Sequence, residues 1–183
     1  MLILITGGSR SGKSTFALEL AERFTGPRAF LATAQALDEE MERRIAAHRR
    51  SRPPGWRLVE EPMDVPAALT RALRQSAVVI VDCVTLWVTN LMLADDRFGE
   101  EVAADSARAL VGAAEEAGAG RAVIVVTNEV GCGVVPETAL GRRFRDCAGR
   151  ANQVIARGAA EVYLMTSGIP MRIKPREQGR TDG

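Results

Sequence analysis

A cluster of glycines with a lysine and a serine, near the start of the chain, has the spacing of a phosphate-binding loop. Residues 7–14 fit G-x-x-x-x-G-K-[ST] without a mismatch. They are Gly7, Gly8, Ser9, Arg10, Ser11, Gly12, Lys13 and Ser14. In such a loop the glycines let consecutive backbone N–H groups point at a phosphate. Lys13 is then expected to reach the β- and γ-phosphates, and the hydroxyl of Ser14 to bind Mg²⁺. The alternative is a glycine-rich turn that binds nothing.

The residues on either side of this segment favour a phosphate-binding loop over a simple turn. Residues 2–6 form an apolar, β-type run, and residues 15–22 have the pattern of an amphipathic helix. A strand, a loop and a helix in this order are the context in which the motif indicates phosphate binding. A helix that begins near Lys13 also brings the positive end of its dipole to the site. The sequence therefore predicts a nucleotide-binding P-loop.

An aspartate at the end of another apolar run is a candidate metal ligand. Asp82 follows residues 78–81, which are all Val or Ile. An acidic residue at the carboxyl end of a buried strand, downstream of a P-loop, is typical of the Walker B position that holds Mg²⁺. The alternative is a helix N-cap or a loop carboxylate. Because ligands of open α/β sheets bind at the carboxyl ends of strands, the same rule indicates Thr33 and the pair Asn128–Glu129.

The single histidine, His48, lies in a charged segment at residues 43–52. Neutral imidazole is a competent nucleophile at phosphorus near neutral pH, and the surrounding guanidinium groups suit phosphate. These belong to Arg43, Arg44, Arg49, Arg50 and Arg52. The alternative is a solvated helix face, on which acidic residues at 38–42 pair with arginines one turn away. From residue types alone, both interpretations stay open.

Three further polar segments are candidates for binding. Residues 127–133 follow a predicted strand and contain two glycines, so they are expected to form a loop at the binding edge. Glu60 and Glu61 could contact a ribose or a base, or could face water. Residues 142–153 are rich in arginine and amide side chains, for which the alternative is a charged outer helix face.

Composition sets limits on the class of protein. The chain has 183 residues, 46% of them hydrophobic, and a formal net charge of +1. It is expected to form one domain at residues 1–174, followed by a polar tail at 175–183. The charge gives no broad basic surface for nucleic acid, and we expect no membrane span and a cytoplasmic location. Cys83, Cys132 and Cys147 match no zinc pattern and are expected to be reduced thiols.

Strand and helix patterns alternate along the chain. Strands are predicted at residues 2–6, 29–34, 77–82, 122–127 and 161–166, and helices at about 13–24, 38–50, 64–75, 100–117 and 139–158. This order predicts an α/β P-loop NTPase fold with a mostly parallel central sheet flanked by helices. A C-terminal antiparallel hairpin is expected at the edge, with its turn at 167–170. The segment Arg49–Pro62 is predicted to be a loop.

Several of these segments together resemble one family, the bifunctional adenosylcobinamide kinase / adenosylcobinamide-phosphate guanylyltransferase of cobalamin biosynthesis. The resemblance covers about residues 1–174. The segments that carry it are ITGGSRSGKS, LATAQALDEEMERRIAAHRRSRPPGW, VDCVTLWVTNL, VTNEVGCGVVPE, FRDCAGRANQ and SGIPMRIK. Many families share the first segment, whereas the segment around His48 and VTNEVGCGVVPE are far more specific.

The resemblance implies two reactions that depend on Mg²⁺. The first transfers the γ-phosphoryl group of ATP or GTP to the aminopropanol hydroxyl of adenosylcobinamide. In the second, His48 takes up GMP from GTP as a covalent phosphoramidate and pyrophosphate leaves. The phosphate of adenosylcobinamide phosphate then displaces the histidine, which gives adenosylcobinamide-GDP. Splitting the nucleotidyl transfer into two displacements is covalent catalysis.

The resemblance also implies which residues act. His48 and Lys13 are the expected catalytic residues, and Ser14 and Asp82 the expected metal ligands. Beyond residues 7–14, the nucleotide is expected to contact Ala32, Thr33, Ala34, Arg49, Arg50, Ser51, Arg52, Glu60 and Asp82. The family also implies a homo-oligomer, a trimer. Two rival interpretations remain: a P-loop small-molecule kinase without guanylyl transfer, in which His48 is incidental, and a nucleotide-switched regulatory protein.

Overall fold

The central element of the protein is one seven-stranded sheet, seen in a computed structural model that describes residues 1–36, 39–50 and 54–174. Its strands follow the order β3-β2-β4-β5-β1-β6-β7. They are β1 (Leu2–Gly7), β2 (Arg28–Ala32), β3 (Trp56–Glu60), β4 (Val78–Asp82), β5 (Ala122–Val126), β6 (Glu161–Thr166) and β7 (Ile169–Lys174). β1 to β6 pair in parallel, and β7 runs antiparallel to β6 at one edge. The predicted α/β class and terminal hairpin are confirmed.

Helices cover both faces of this sheet. They are α1 (Lys13–Ala21), α2 (Glu39–Arg50), α3 (Val65–Leu73), α4 (Val84–Ala94), α5 (Glu100–Glu116) and α6 (Ala139–Gly158). Local sequence explains where some of them begin. Asp64 caps α3 by accepting a hydrogen bond from the Ala67 backbone N–H, with a proline in the first turn. Thr138 caps α6 in the same way.

The core consists of two apolar clusters, one on each face of the sheet. Alternation along β1 sends Ile3 and Ile5 to the cluster that includes α1. It sends Leu2 and Leu4 to the larger cluster, which includes residues of α3, α4, α5 and α6. Because both faces are covered, the inner strands are apolar without interruption, as in other buried parallel sheets. The sheet is therefore a rigid base for the residues at its carboxyl edge.

The strand register aligns the carboxyl ends of β2, β3, β4 and β5. Ala32 at the end of β2 pairs with both Glu60 on β3 and Asp82 on β4. Asp82 pairs in turn with Val126 at the end of β5. Parallel strands that end at the same level place their following residues along one edge of the sheet. This edge is the location of the candidate site.

Three parts of the sequence-based prediction of elements differ from the structure. The segment Arg49–Pro62, predicted as a loop, contains the end of α2 and all of β3. α4 was not predicted at all, although the eleven residues Val84–Ala94 form a continuous helix. The turn of the C-terminal hairpin is also shorter than expected, because β7 already begins at Ile169.

The cysteines are all free thiols, as expected. Cys83 and Cys147 are buried, whereas Cys132 is exposed. Among the residues that the structure describes, no group of three or more His, Cys, Asp or Glu side chains could hold a metal ion. In the same part of the chain, none of the helices combines the length and the apolar character needed to cross a bilayer.

Candidate active site

The predicted phosphate-binding loop links β1 to α1 and folds back on itself. The Ser11 backbone N–H donates to the Gly8 carbonyl at 3.3 Å. The Lys13 ammonium donates to the same carbonyl at 2.5 Å and lies 3.4 Å from the Ser11 hydroxyl. Gly12, the residue before α1, has φ +92°, and Arg10 also adopts a left-handed conformation with φ 58°. A left-handed residue within a short loop turns successive N–H groups toward one concave side, which suits an anion.

Gly7 is required at the start of this loop because the sheet leaves no space for a side chain. A Cβ at this position would lie 2.5 Å from the Met165 carbonyl oxygen on the neighbouring strand β6. Gly12 needs its glycine for another reason, since its φ of +92° is strained for any L side chain. The structure thus explains why positions 7 and 12 are glycine.

Lys13 is buried at the first position of α1, with 7% of its surface exposed. Burial lowers the pKa of its ammonium below the ordinary value of 10.5, and the neighbouring Asp82 carboxylate acts in the opposite direction. Because the Lys13 ammonium is buried, it can interact strongly with an anionic ligand. The phosphates of a nucleotide would supply that ligand.

The Ser14 hydroxyl and the Asp82 carboxylate are in contact, although Ser14 follows β1 and Asp82 ends β4, and these two strands are not neighbours. β5 lies between β1 and β4 in the sheet, yet the Ser14 hydroxyl donates to Asp82 Oδ2 at 2.9 Å. A hydroxyl and a carboxylate oxygen this close can both bind one Mg²⁺, which prefers oxygen ligands and completes its shell with phosphate oxygens and water. The residues present therefore fit the ion, and the structure brings the two predicted ligands within hydrogen-bond distance of each other.

Thr33 is completely buried at the end of β2 and contacts the segment that follows Asp82. Its hydroxyl donates to the Cys83 carbonyl at 2.8 Å and accepts from the Cys83 N–H at 2.9 Å. The Asn90 amide of α4 donates to the carbonyl of Thr33 at 2.8 Å. Thr33 thus fixes the backbone on which the Asp82 carboxylate depends. Burial raises the pKa of the Cys83 thiol to about 12, so it stays protonated.

The other predicted contacts of the nucleotide lie along the same edge. Ala32 is buried at the end of β2, Ala34 is half-buried two residues later, and Glu60 is exposed at the end of β3. The neighbouring Glu61 has a structural role, because one of its carboxylate oxygens accepts hydrogen bonds from the Met63 and Asp64 N–H groups, each at 3.0 Å. Of the two glutamates, Glu60 is the better candidate for a nucleoside contact.

The structure places His48 on α2, which begins at Glu39 and ends at Arg50. On the same helix, Arg43 forms an exposed ion pair with Glu39 at 3.7 Å, as the pattern of charges predicted. The side chains of His48, Arg49 and Arg50 lie outside the described part of the structure, and so do the whole residues Ser51 and Arg52. Their predicted roles therefore stay predictions.

Sequence reasoning did not identify the hydrogen bonds that hold the loop after β5. The Thr127 hydroxyl donates to the Asn152 side-chain oxygen at 2.7 Å, and the Asn152 amide donates to the Asn128 carbonyl at 3.1 Å. The Asn128 N–H donates to the Thr85 hydroxyl at 2.8 Å. The Glu129 N–H then donates to the Gly7 carbonyl at 3.0 Å, which joins this loop to the phosphate-binding loop. The only signal in the sequence was the amide-rich segment of α6.

The loop between β1 and α1, with a carboxylate at the end of β4, defines a nucleotide-binding protein with the P-loop NTPase fold. A solved structure of the RadB recombinase resembles this chain with a TM-score of 0.50. It is 16% identical, and the match covers 89% of this chain and 73% of that one. At this identity the likeness concerns the fold alone.

Within the class of P-loop proteins, comparison of this sequence with known families identifies the family. Residues 3–173 match the model of the family described as cobinamide kinase / cobinamide phosphate guanyltransferase. The chain belongs to this family of transferases, which combine the two activities in cobalamin biosynthesis. The family resemblance seen in the sequence is therefore confirmed.

Similar curated proteins agree with this family over nearly their whole length. The bifunctional adenosylcobalamin biosynthesis protein CobU of Escherichia coli (strain K12) is 41% identical, over 95% of this chain and 100% of that protein. CobU of Salmonella typhimurium (strain LT2) is 40% identical over the same shares of the two chains. CobP of Pseudomonas aeruginosa (strain PAO1) is 43% identical, over 93% of this chain and 96% of that protein.

Proposed function

We propose that this protein phosphorylates adenosylcobinamide with ATP or GTP and then transfers GMP from GTP to the product through His48. The observation that carries the proposal is the Ser14–Asp82 contact at 2.9 Å beside the buried Lys13 ammonium. These groups could together hold a triphosphate and Mg²⁺, next to the P-loop sequence that follows β1. Both reactions need such a site, because each breaks a phosphorus–oxygen bond of a nucleoside triphosphate.

In the kinase step, the residues of the loop bind and orient the triphosphate. Backbone N–H groups of residues 8–14 would surround the β-phosphate, and the Lys13 ammonium would leave the Gly8 carbonyl to contact the β- and γ-phosphates. Ser14 and Asp82 would hold Mg²⁺, which neutralises charge that develops on the phosphate oxygens. The acceptor hydroxyl attacks the γ-phosphorus, its proton goes to a base, and the bond to the β-phosphate oxygen breaks. Glu129 is the candidate base by its position after β5.

In the guanylyl transfer, an imidazole nitrogen of His48 attacks the α-phosphorus of GTP. A phosphorus–nitrogen bond forms and the bond to pyrophosphate breaks, which leaves GMP on the histidine. The phosphate oxygen of adenosylcobinamide phosphate then attacks the same phosphorus, and the bond to nitrogen breaks. The arginines at 49, 50 and 52 would stabilise the charge on the reacting phosphate. Glu60 would contact the guanosine.

The family acts on cobinamide compounds and uses nucleotides. From the family resemblance we also infer a cytoplasmic location and a homotrimer. Support for assembly comes from an exposed apolar row on the edge strand β7, at Ile169, Met171 and Ile173.

The experiment that tests guanylyl transfer is labelling of the protein with α-³²P-GTP and Mg²⁺, followed by denaturing electrophoresis. We expect a labelled band that is lost in acid and kept in alkali, since a phosphoramidate has this stability, and we expect His48→Ala to abolish it. Glu39→Ala is the matched control, because Glu39 lies on the same helix in an exposed ion pair with Arg43 and is not among the residues expected to bind phosphate. It should label like the wild type.

The alternative is a P-loop kinase that transfers no guanylyl group. It is favoured if the wild type shows no label while it still moves the γ-phosphoryl group of ATP to cobinamide. Equal labelling of His48→Ala and wild type would contradict the role of His48. A protein that hydrolyses GTP without using cobinamide as acceptor would contradict the whole proposal in favour of a nucleotide-switched regulator.

A further inference from the structure

A polar cleft of about 500 Å³ lies between α5 and α6, outside the phosphate-binding loop. Its volume is in the range of small-molecule sites. Its lining includes Glu100, Gly131, Arg145, Gly149, Arg150 and Gln153. None of them was placed in the nucleotide site by the sequence or by the geometry described above. The cleft therefore needs an explanation of its own.

One wall of this α5–α6 cleft belongs to the loop that touches the phosphate-binding loop. The Gly131 N–H donates to a Glu129 carboxylate oxygen at 3.1 Å. The backbone N–H of Glu129 donates to the Gly7 carbonyl at 3.0 Å. A ligand in the cleft would thus contact a loop that is hydrogen-bonded to the start of the phosphate-binding loop and that carries the candidate base Glu129 two residues before Gly131. An acceptor of the phosphoryl group must be bound where it can reach that loop and that base.

The side chains of the cleft suit a ligand surface that carries many amides. Arg145, Arg150 and the Gln153 amide supply hydrogen-bond donors, and Glu100 with the Gln153 carbonyl supplies acceptors. The arginines have carboxylate neighbours in the same cleft, with Arg150 3.8 Å from Glu101 and Arg145 2.9 Å from Asp146. These carboxylates disfavour a second nucleotide or another polyanion. An amide both donates and accepts, so it matches such a mixed lining.

Gly149 opens the wall that α6 contributes. A Cβ at this position would have no heavy atom within 4 Å, so no packing inside the chain requires glycine there. Glycine is among the least favourable residues in a helix interior. Its presence at the cleft leaves room for something outside the chain.

We propose that the α5–α6 cleft binds the amide-bearing rim of the cobinamide acceptor and directs its hydroxyl toward the phosphate-binding loop. This inference rests on the function proposed above, since it locates the second substrate of that reaction. One edge of the corrin ring, with its amide side chains, enters the cleft, and the remainder of the ring stays in solvent. The open form of the cleft permits this.

The test fills the cleft by Gly149→Leu and compares it with Gly112→Leu. Gly112 is a helical glycine on α5 that also has no neighbour within 4 Å and does not line the cleft, so it is a matched control. We expect Gly149→Leu to raise KM for cobinamide at least tenfold and to leave KM for ATP within twofold. Equilibrium dialysis with cobinamide alone should show the same loss of binding. Gly112→Leu should behave like the wild type in both assays.

A second variant, Gln153→Ala, removes one exposed amide of the lining and is not expected to affect folding. It should raise KM for cobinamide about threefold to tenfold with KM for ATP unchanged. Unchanged cobinamide binding in both variants overturns the proposal, and so does an equal rise of both KM values. If the wild type phosphorylates cobinamide while Gly149→Leu still binds it normally, the proposed cobinamide site is contradicted and the proposed function is kept. If the wild type binds cobinamide through the cleft but does not phosphorylate it, the proposed function is contradicted and the proposed binding site is kept.

Discussion

Lys13 shows how the environment of one residue links nucleotide binding to pH. Its pKa lies below the ordinary 10.5 because the ammonium is buried, and the phosphates of a nucleotide favour the charged form. As the pH rises through this lowered pKa, Lys13 of the free protein becomes neutral. A proton must then be taken up when the nucleotide binds. We therefore predict that MgATP binding weakens with rising pH above the lysine's lowered pKa, by up to about tenfold per pH unit.

The measurement is the Kd of MgATP without acceptor, from about pH 8 up to the ordinary lysine pKa of 10.5. Lys13→Arg is the control, because a guanidinium stays charged throughout this range. The variant is expected to bind more weakly but with a flatter dependence on pH. Equal slopes in the two proteins would mean that the Lys13 ammonium does not act on the phosphates.

At the scale of single residues, the sequence predicted those whose chemistry is carried by a local motif. Gly7 to Ser14 are contiguous, and Asp82 ends an apolar strand, so their meeting could be expected from the fold. The partners of Thr33 could not, because its hydroxyl bonds the backbone of Cys83, fifty positions away in the chain. A threonine that bonds a distant main-chain group leaves no pattern in the sequence. The same holds for the contact between Thr127 and Asn152.

At the scale of elements, α4 was missed because its sequence is ambiguous. The residues Val84–Ala94 include several β-branched side chains and are apolar on most sides, which is as typical of a buried strand as of a helix. β3 was missed for a different reason. It is a short edge strand with a mostly exposed pattern, so its sequence lacks the apolar run by which β1, β4 and β5 were found. The longer helices have clear periodicity and were predicted within a few residues.

α4 is held to the candidate site by the buried amide of Asn90. This amide donates to the Thr33 carbonyl at 2.8 Å and to the Pro62 carbonyl at 3.0 Å. Asn90→Ala leaves both carbonyls without their donor, and each buried unsatisfied group costs about 1–3 kcal/mol. We predict a loss of about 2–4 kcal/mol in the free energy of unfolding. Because Thr33 holds the backbone after Asp82, KM for the nucleotide should also rise.

Urea denaturation of Asn90→Ala and Thr89→Ala tests this tie between elements. Thr89 is the neighbouring residue, and its hydroxyl donates to the Thr85 carbonyl of its own helix at 3.0 Å. Its substitution should cost under about 1 kcal/mol and leave KM for the nucleotide unchanged. If both variants lost the same stability, the Asn90 amide would not be what joins α4 to the ends of β2 and β3.

At the scale of the whole molecule, alternation of strands and helices was enough to predict the fold class but not the order of the strands. Order depends on which helices cover which face, and on the path by which α1 crosses from β1 to bring Ser14 to Asp82. The α5–α6 cleft is a property of this scale as well. It exists only where two helices and the loop after β5 come together, so residues 142–153 showed an arginine- and amide-rich helix without showing what it lines.

The edge strand β7 is where assembly of the molecule can be tested. In the part of the chain that the structure describes, β7 ends the sheet, and no strand pairs with its outer side. Three of its apolar residues are largely exposed, Ile169 at 65%, Met171 at 52% and Ile173 at 57%. A row of exposed apolar side chains beside unpaired backbone groups is favourable only when something covers it. We predict that a second copy of the chain covers it in the homotrimer.

Sedimentation equilibrium should then give about 59 kDa for the wild type, three copies of a 19.7 kDa chain. Met171→Lys places a charge in the row and is expected to shift the mass toward one copy. The matched control is Leu93→Lys, which charges an apolar residue of similar exposure, 57%, at the end of α4. It should leave the mass unchanged. A wild type at 19.7 kDa would contradict the trimer. A trimer that survives Met171→Lys but not Leu93→Lys would move the interface from β7 to the end of α4.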